Sequence, residues 1–366
     1  MICKIEDIAI VTMGQSPKGD TFNNDGNGMP FLQGNRTFGD RYPVFDTWTT
    51  EPTKVAEAGD VIMSVRAPVG DLNITPIKMC LGRGVCSIRA RNGCQDFLYY
   101  LMKQNVKQLI SKENGTVFGS VNRNDINSLE VTIPEDIETQ RRIARFLAAI
   151  DEKIEANKQI NDNLLQQAQA LFRMQFLTQD VLPDGWIKAT LGDVSQMGAG
   201  GDKPKTVSTT RTDDCPYPIY SNGISDEGLY GFTNDYKIKD ESITVSARGT
   251  IGFVCLRHMP YTPIVRLVTL IPKKEVVSAK YLYLWLMNSP IQGTGTTQQQ
   301  LTVPDFRKTE ILLPTKEEMT SFTDTVTPLF EAIWANQAEN AKLSETRDAL
   351  LPRLMSGELD VADVDL

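Results

Sequence analysis

The sequence predicts an α+β chain. Two similar mixed, strand-rich domains alternate with two long helices that pair as an antiparallel coiled coil, an internal repeat about a pseudo-twofold axis. Three observations predict it. First, Ser64-Val65-Arg66-Ala67-Pro68-Val69-Gly70 returns as Ser246-Ala247-Arg248-Gly249-Thr250-Ile251-Gly252. Residues 121–134 return as residues 301–314, with Asp125/Asp305, Glu130/Glu310 and Pro134/Pro314 in register. Second, residues 135–180 and 315–357 each carry apolar residues alternately four and three apart, the spacing of a coiled-coil seam. Third, the two series align at one constant offset, and each places two asparagines at the same seam positions.

Residues 1–134 form the first domain. Glycines and prolines punctuate short β-type runs such as residues 4–10 and 60–65, and residues 97–110 carry a helical pattern. Residues 135–180 follow as the first spacer helix, with Ile150, Ile154, Asn157, Asn161 and Leu164 on its seam. Residues 181–314 repeat the domain plan, and residues 281–288 correspond to the helix of the first copy. The second copy is led in by Leu182-Pro183-Asp184-Gly185-Trp186, whereas the first starts almost at once on a strand run, so contacts of such a lead-in are expected to be missing there. Residues 315–357 form the second spacer helix, with Ile333, Asn336, Asn340 and Leu343 on its seam, and residues 358–366 form a tail. Thr315 and Glu318 supply a capping box at its start, and Ser356-Gly357 supplies its stop. Pro328 lies inside and is expected to kink or interrupt the helix near Asp324.

Helices of about 40 residues have a contour of roughly 60 Å, more than one small domain needs. Asparagines in an apolar seam cost stability and fix register or orientation. Antiparallel pairing sets Asn157 against Asn340 and Asn161 against Asn336, a polar layer expected near the pseudo-twofold axis.

Composition bounds the function. The chain has 366 residues, of which 41% are hydrophobic and 23% charged, the proportions of a globular protein. No apolar run reaches the roughly 18 residues needed to cross a bilayer, and the N-terminus lacks the pattern of a secretory signal. Six scattered cysteines, none in a C-x-x-C pair, and one histidine, His258, point to reduced thiols in a cytoplasmic protein and to no metal site. The net charge of −8 is unevenly spread. Residues 1–134 balance 14 basic against 14 acidic side chains, whereas residues 315–366 carry 4 basic and 11 acidic. Each repeated domain is therefore free to present a basic face to nucleic acid.

Chemistry is missing. No phosphate-cradling G-x-x-x-x-G-K-[ST] loop occurs. A single histidine excludes most histidine-based catalysis, and no D/N-P-P-Y/F tetrapeptide of amino-methyltransferases is present. Gly198-Ala199-Gly200-Gly201 runs into a polar stretch and reads as a loop. The expectation is a non-catalytic protein with no catalytic residue.

The order domain–helix–domain–helix resembles the specificity subunits of type I restriction–modification enzymes. Residues 133–154 (IPEDIETQRRIARFLAAIDEKI) resemble the family's central conserved region, and residues 347–361 (RDALLPRLMSGELDV) its distal one. The resemblance implies two target-recognition domains, each reading half of a split DNA sequence, with the helices as an antiparallel spacer. It implies two methyltransferase subunits and restriction subunits as partners. S-adenosylmethionine, ATP and Mg are then held by those partners and no cofactor by this chain.

Candidate DNA-contacting residues follow from residue type and repeat position. Arg66 and Arg248 hold equivalent places just after a strand, where a guanidinium reaches phosphate or guanine, or braces its own domain. Gln33, Asn35 and Arg36 correspond to Ser221 and Asn222 in polar loops, suited to adenine edges, to phosphates or to turn geometry. Lys112, Thr116, Asn122, Arg123 and Asn124 differ from their counterparts Thr296, Thr297, Gln298 and Gln299 while the flanks align, as variable reading loops on a common scaffold would. Lys203 and Lys205 lie in a basic insert that can meet phosphates. The competing reading is a scaffold that joins two strand-rich modules through a coiled coil and binds no DNA; an enzyme with an unfamiliar site ranks third.

Overall fold

The computed structural model describes residues 1–111, 119–178, 181–293 and 300–364. The chain divides into two compact units, Met1–Asn157 with Ala338–Leu366, and Lys158–Gln337. Each long helix therefore gives one segment to each unit.

In the first unit, Ile2–Lys4 pairs antiparallel with Glu130–Thr132. A four-stranded antiparallel sheet follows in the order Ala9–Met13, Val85–Ala90, Val61–Ser64, Leu72–Ile74. Residues 4–10, expected as one strand, are split by a helical turn, Ile5–Ile8. The reason is local and tertiary together: Asp7 accepts a hydrogen bond from the Lys4 amide, and Ile5 is fully buried. The helix Gln95–Ser111 covers the sheet, and Ile5, Met63, Ile88, Leu98, Leu101 and Ile126 form the core with Ile143, Leu147, Leu354 and Met355 of the long helices. A second sheet, of five short strands, holds the parallel pair Met29–Leu32 and Met79–Leu81.

The second unit repeats this plan. Ile187–Thr190 pairs with Glu310–Leu313, and the four-stranded sheet runs Ser195–Ala199, Val268–Pro272, Ser242–Val245, Val254–Arg257. Gly198 and Ala199, expected in a loop, thus lie in an edge strand. The parallel pair recurs between Tyr217–Tyr220 and Thr262–Pro263. Leu191, Val245, Leu270, Tyr281 and Leu282 pack with Phe172, Phe322 and Val326 of the long helices. Phe172, Phe176, Tyr281 and Phe322 form an edge-to-face aromatic cluster with ring centroids 5.0–6.3 Å apart.

The long helices are Ile137–Phe176 and Lys316–Ser356. The second runs through Pro328 without interruption. Pro328 cannot donate to Asp324, but the neighbouring Val326 and Phe330 are buried in the unit's core, and that packing holds the turn helical. Thr315 and Glu318 form the expected capping box, with the Thr315 amide and hydroxyl donating to the carboxylate at 3.0 and 2.9 Å. Gly357, at φ 75°, ends the helix.

Within the first unit, Asn157 Nδ2 donates to Asn340 Oδ1 at 2.8 Å and to Glu339 at 2.7 Å, while Asn340 donates to the Ile154 carbonyl. Asp151 bonds Arg347 at 2.6 Å, so the two helical segments run in opposite senses there. Within the second unit, Asn336 Nδ2 donates to Asn161 Oδ1 at 2.8 Å. Ile150, Ile154 and Asn157 are buried, as is Ile333, while Asn161, Leu164, Asn336, Asn340 and Leu343 are half-buried. Hydrogen bonding to Asn157 holds the Glu339 carboxyl below its ordinary range.

Candidate nucleic-acid interface

The polar loops of each unit gather around the ends of the strands that carry the repeated motif. In the first unit, the amide of Val121 bonds the carbonyl of Val65, and Arg66 pairs with Ser120 as an isolated bridge. Residues far apart in sequence, Arg66 and Asn122, are thereby neighbours on one rim. Asn35 donates to Asp71, which joins the polar loop to the same turn. Gln33 accepts from Ser16 at 2.9 Å, and Ser16 also accepts from the Arg83 guanidinium at 3.3 Å. An open cavity of about 420 Å³ is lined there by Gln33, Arg36, Asp46, Arg83 and the stacked rings of Phe22 and Phe31.

The second unit assembles equivalent loops. The Leu301 amide bonds the Ala247 carbonyl, as Val121 bonds Val65. Asn222 is tied on both ends of its amide: Nδ2 donates to the Val265 carbonyl at 2.7 Å, and Oδ1 accepts from the Ala247 amide at 2.7 Å and the Ser246 hydroxyl at 3.3 Å. Arg248 donates to Gln300 at 3.1 Å. Lys203 bonds the Tyr230 hydroxyl at 2.7 Å and lies 4.8 Å from the ring centroid.

These contacts sort the candidates. Arg66, Arg123, Asn124 and Lys205 are exposed, and their side chains have no hydrogen bond or ion pair among the described residues, so they are available to a polyanion. Arg36 is engaged by Asp46 at 2.7 Å, an exposed pair that salt or phosphate can displace. Asn122 spends its side-chain oxygen capping the helix Arg123–Asn127, with the Asn124 and Asp125 amides donating to it. Asn222 organises its own domain. Ser221 is half-buried, and its amide bonds Gly228. Lys112, Thr116, Thr296, Thr297, Gln298 and Gln299 lie outside the described residues.

Three residues escaped the sequence reading. Arg83 sits between Gly82 and Gly84 on the rim of the first unit, and Val265 and Arg266 hold the matching turn of the second. The G-x-G spacing around Arg83 was the available signal; Val265-Arg266 carries none.

The remaining strongly placed charges serve packing. Arg257 is buried, donates to Glu227 and Thr244 at 2.9 and 3.0 Å, and lies 3.6 Å from the Tyr220 ring centroid. His258 stacks on Trp334 with centroids 4.3 Å apart, and desolvation there pushes its pKa down. Burial pushes the thiols of Cys86 and Cys255 up to about 12, which leaves them unreactive. No group of three or more metal-ligating side chains gathers among the described residues, and no helix is long and apolar enough to cross a membrane.

An α+β unit that recurs with the same strand pairing, and with polar loops at corresponding strand ends, defines the class: a chain built of two similar modules. The chain belongs to the family described as the type I restriction modification DNA specificity domain, whose model matches residues 1–166 and again 183–345. It is 26% identical over 357 aligned residues to the type I restriction enzyme HindI specificity subunit of Haemophilus influenzae, covering 72% of this chain and 77% of that one. It is 25% identical over 349 to the MjaIX specificity subunit of Methanocaldococcus jannaschii, covering 85% and 80%. A second M. jannaschii protein, named for the MjaX specificity subunit, is 37% identical over 156 residues. That match spans 42% of this chain and only 36% of the M. jannaschii protein. Among solved structures, the S subunit of a type I restriction-modification system from M. genitalium shares the fold with a TM-score of 0.59 at 17% identity, over 97% of this chain and 96% of that one.

Proposed function

We propose that this chain is the DNA sequence-recognition subunit of a type I restriction–modification complex and catalyses nothing itself. It reads a bipartite target and docks two methyltransferase subunits, with restriction subunits, on that target. The observation that carries the reading is the match of both copies, residues 1–166 and 183–345, to one DNA specificity domain family. Residues 1–134 and 181–314 are the two reading domains, and residues 135–180 and 315–357 pair as an antiparallel coiled coil that spaces them. The asparagine bonds Asn157–Asn340 and Asn336–Asn161 support that pairing, because each joins the donor of one repeat to the acceptor of the other. The polar layer they form then lies near the pseudo-twofold axis. Duplicated faces suit two copies of one partner. S-adenosylmethionine, ATP and Mg act on the partner subunits, in the cytoplasm where the DNA is.

Each half-site is read by side chains on the rim of one unit. Arg66, Arg123, Asn124 and Lys205, with Gln33, Asn35, Arg36, Lys203 and Arg248, contact phosphates or base edges. Fixed spacing between two readers sets which base pairs are addressed and leaves those between them unread.

The test is co-expression with the methyltransferase subunits, followed by co-purification and mapping of methylated adenines. A complex should form, and exchange of residues 100–130 or 290–305 for those of a relative should change one half of the methylated sequence. Absence of a complex, or an unchanged sequence after both exchanges, overturns the reading. Arg66→Ala should weaken DNA binding for all sequences and lower the slope of log affinity against log salt by about 1, as loss of one phosphate contact does.

A further inference from the structure

Val265 and Arg266 occupy the left-handed region, at φ 53° and 59°. Two consecutive non-glycine residues there are uncommon, and a β-branched one is an outlier in any protein. Such strain persists only where the surroundings enforce it, and it gathers at ligand-contacting sites.

The surroundings do enforce it. The Val265 amide donates to the Gly201 carbonyl at 2.9 Å and the Arg266 amide to the Gly200 carbonyl at 2.9 Å. The Val265 carbonyl accepts from Asn222, whose Oδ1 holds Ala247 beside Arg248. Gly200 has no room for a side chain, since a Cβ would stand 2.6 Å from the Ile264 carbonyl oxygen. The turn is a rigid tip clamped to the polar rim. Its own side chains, however, reach solvent: Val265 is 48% exposed, and Arg266 is exposed with no side-chain partner among the described residues. The strained backbone thus leaves both side chains open to solvent at the tip.

The first unit has no left-handed residue at the corresponding turn. Gly14 bonds the Val85 carbonyl as Gly200 bonds that of Leu267, so Gly82-Arg83-Gly84 corresponds to Ile264-Val265-Arg266. Glycines flank the one side chain displayed. The second unit therefore carries two side chains at a place where its sibling carries one, and both are presented on the rim that the proposed function assigns to DNA.

We infer that the Val265-Arg266 turn is a specificity element for the half-site addressed by the second unit. Val265 sets its isopropyl group against a base edge in the major groove, where the thymine methyl is the apolar feature available. Arg266 holds the adjacent phosphate and fixes the approach. The inference rests on the proposed function and names the residues through which one half of the target is read.

The experiment uses the complex of the full chain with its methyltransferase subunits, acting on genomic DNA of the expression host. Methylated adenines are mapped for the wild-type chain, Val265→Gly, Val265→Ala and Arg266→Ala. Both Val265 variants should lower discrimination at one base pair of one half-site on the order of tenfold, with the other half-site unchanged as an internal control. Val265→Gly should also raise the melting temperature, since glycine accepts the left-handed geometry. Arg266→Ala should weaken binding to all sequences and reduce the salt slope by about 1. A wild-type bipartite sequence that both Val265 variants reproduce unchanged overturns the inference and leaves the proposed function standing. A wild-type complex that methylates no bipartite sequence overturns both.

Discussion

The two units meet the long helices at corresponding positions with opposite chemistry. In the first, Asp151 accepts hydrogen bonds from the Tyr100 hydroxyl at 2.6 Å and from Arg347 at 2.6 Å, and both charged side chains are 14% exposed. The asparagine register sets Phe330 where Asp151 stands and Ala168 where Arg347 stands. In the second unit Phe330 is buried against the edge of Tyr283, with ring centroids 5.9 Å apart, and Ala168 is fully buried. One junction is held by a hydrogen-bonded ion pair, the other by apolar contact. Burial first, then the bond to Asp151, raises the Tyr100 pKa, so its proton stays available to that bond. The difference teaches that a duplicated fold keeps the geometry of a junction while its energetics are rewritten. It also gives each helical segment a reason to choose its own domain: an unpaired Asp151 in an apolar socket would be expensive.

That contrast can be broken from either side. Phe330→Ala should have the largest effect, lowering the stability of the second unit by about 3–5 kcal/mol in denaturant unfolding, because it removes a buried aromatic side chain and leaves a cavity. Arg347→Ala should cost the first unit about 3 kcal/mol, because it leaves Asp151 without its cation. The sharper experiment replaces the whole polar group. Tyr100→Phe with Asp151→Leu and Arg347→Met should restore most of that loss, since well-packed apolar residues commonly match a buried ion pair. If the triple variant is as unstable as the single one, polar chemistry itself is required at the first junction.

The asparagines offer a gentler comparison. Asn157 is buried and bonds both Asn340 and Glu339, whereas Asn161 is half-buried. Asn157→Ala should therefore cost about 1–2 kcal/mol and Asn161→Ala about 0.5–1 kcal/mol, read by the same unfolding measurement. Smallest of all is the pH effect of Glu339. Its folded-state pKa is lowered from the ordinary 4.5, chiefly by the Asn157 bond. The contribution is present above 4.5 and is lost as pH falls through the lowered value. Glu339→Gln should abolish that part of the acid dependence and leave stability at neutral pH nearly unchanged, since the group is exposed and screened by solvent.

Much of the architecture was legible because the chain states it twice. Duplication made weak local signals strong: the strand carrying Ser64 and the strand ending before Ser246 support each other, and the seam asparagines pair as their spacing requires. The site was legible only in outline. Gln33, Arg66 and Asn122 stood out by residue type, but side-chain type does not say whether a polar group is already spent. Asn222 and Asn122 are, on their own turns; Arg66 and Arg123 are not.

The sequence alone determined the repeat, the two long helices, the asparagine partners and the absence of familiar catalytic motifs, since periodicity and spacing are properties of the chain itself. Only the tertiary structure decided that residues 4–10 break into a helical turn and that Pro328 leaves its helix whole. It also decided that Asp151 and Arg347 meet, and that Val265 and Arg266 are bent into left-handed geometry. Each of these is settled by contacts between residues distant along the chain, where long-range packing outweighs a local preference of a few kcal/mol at most.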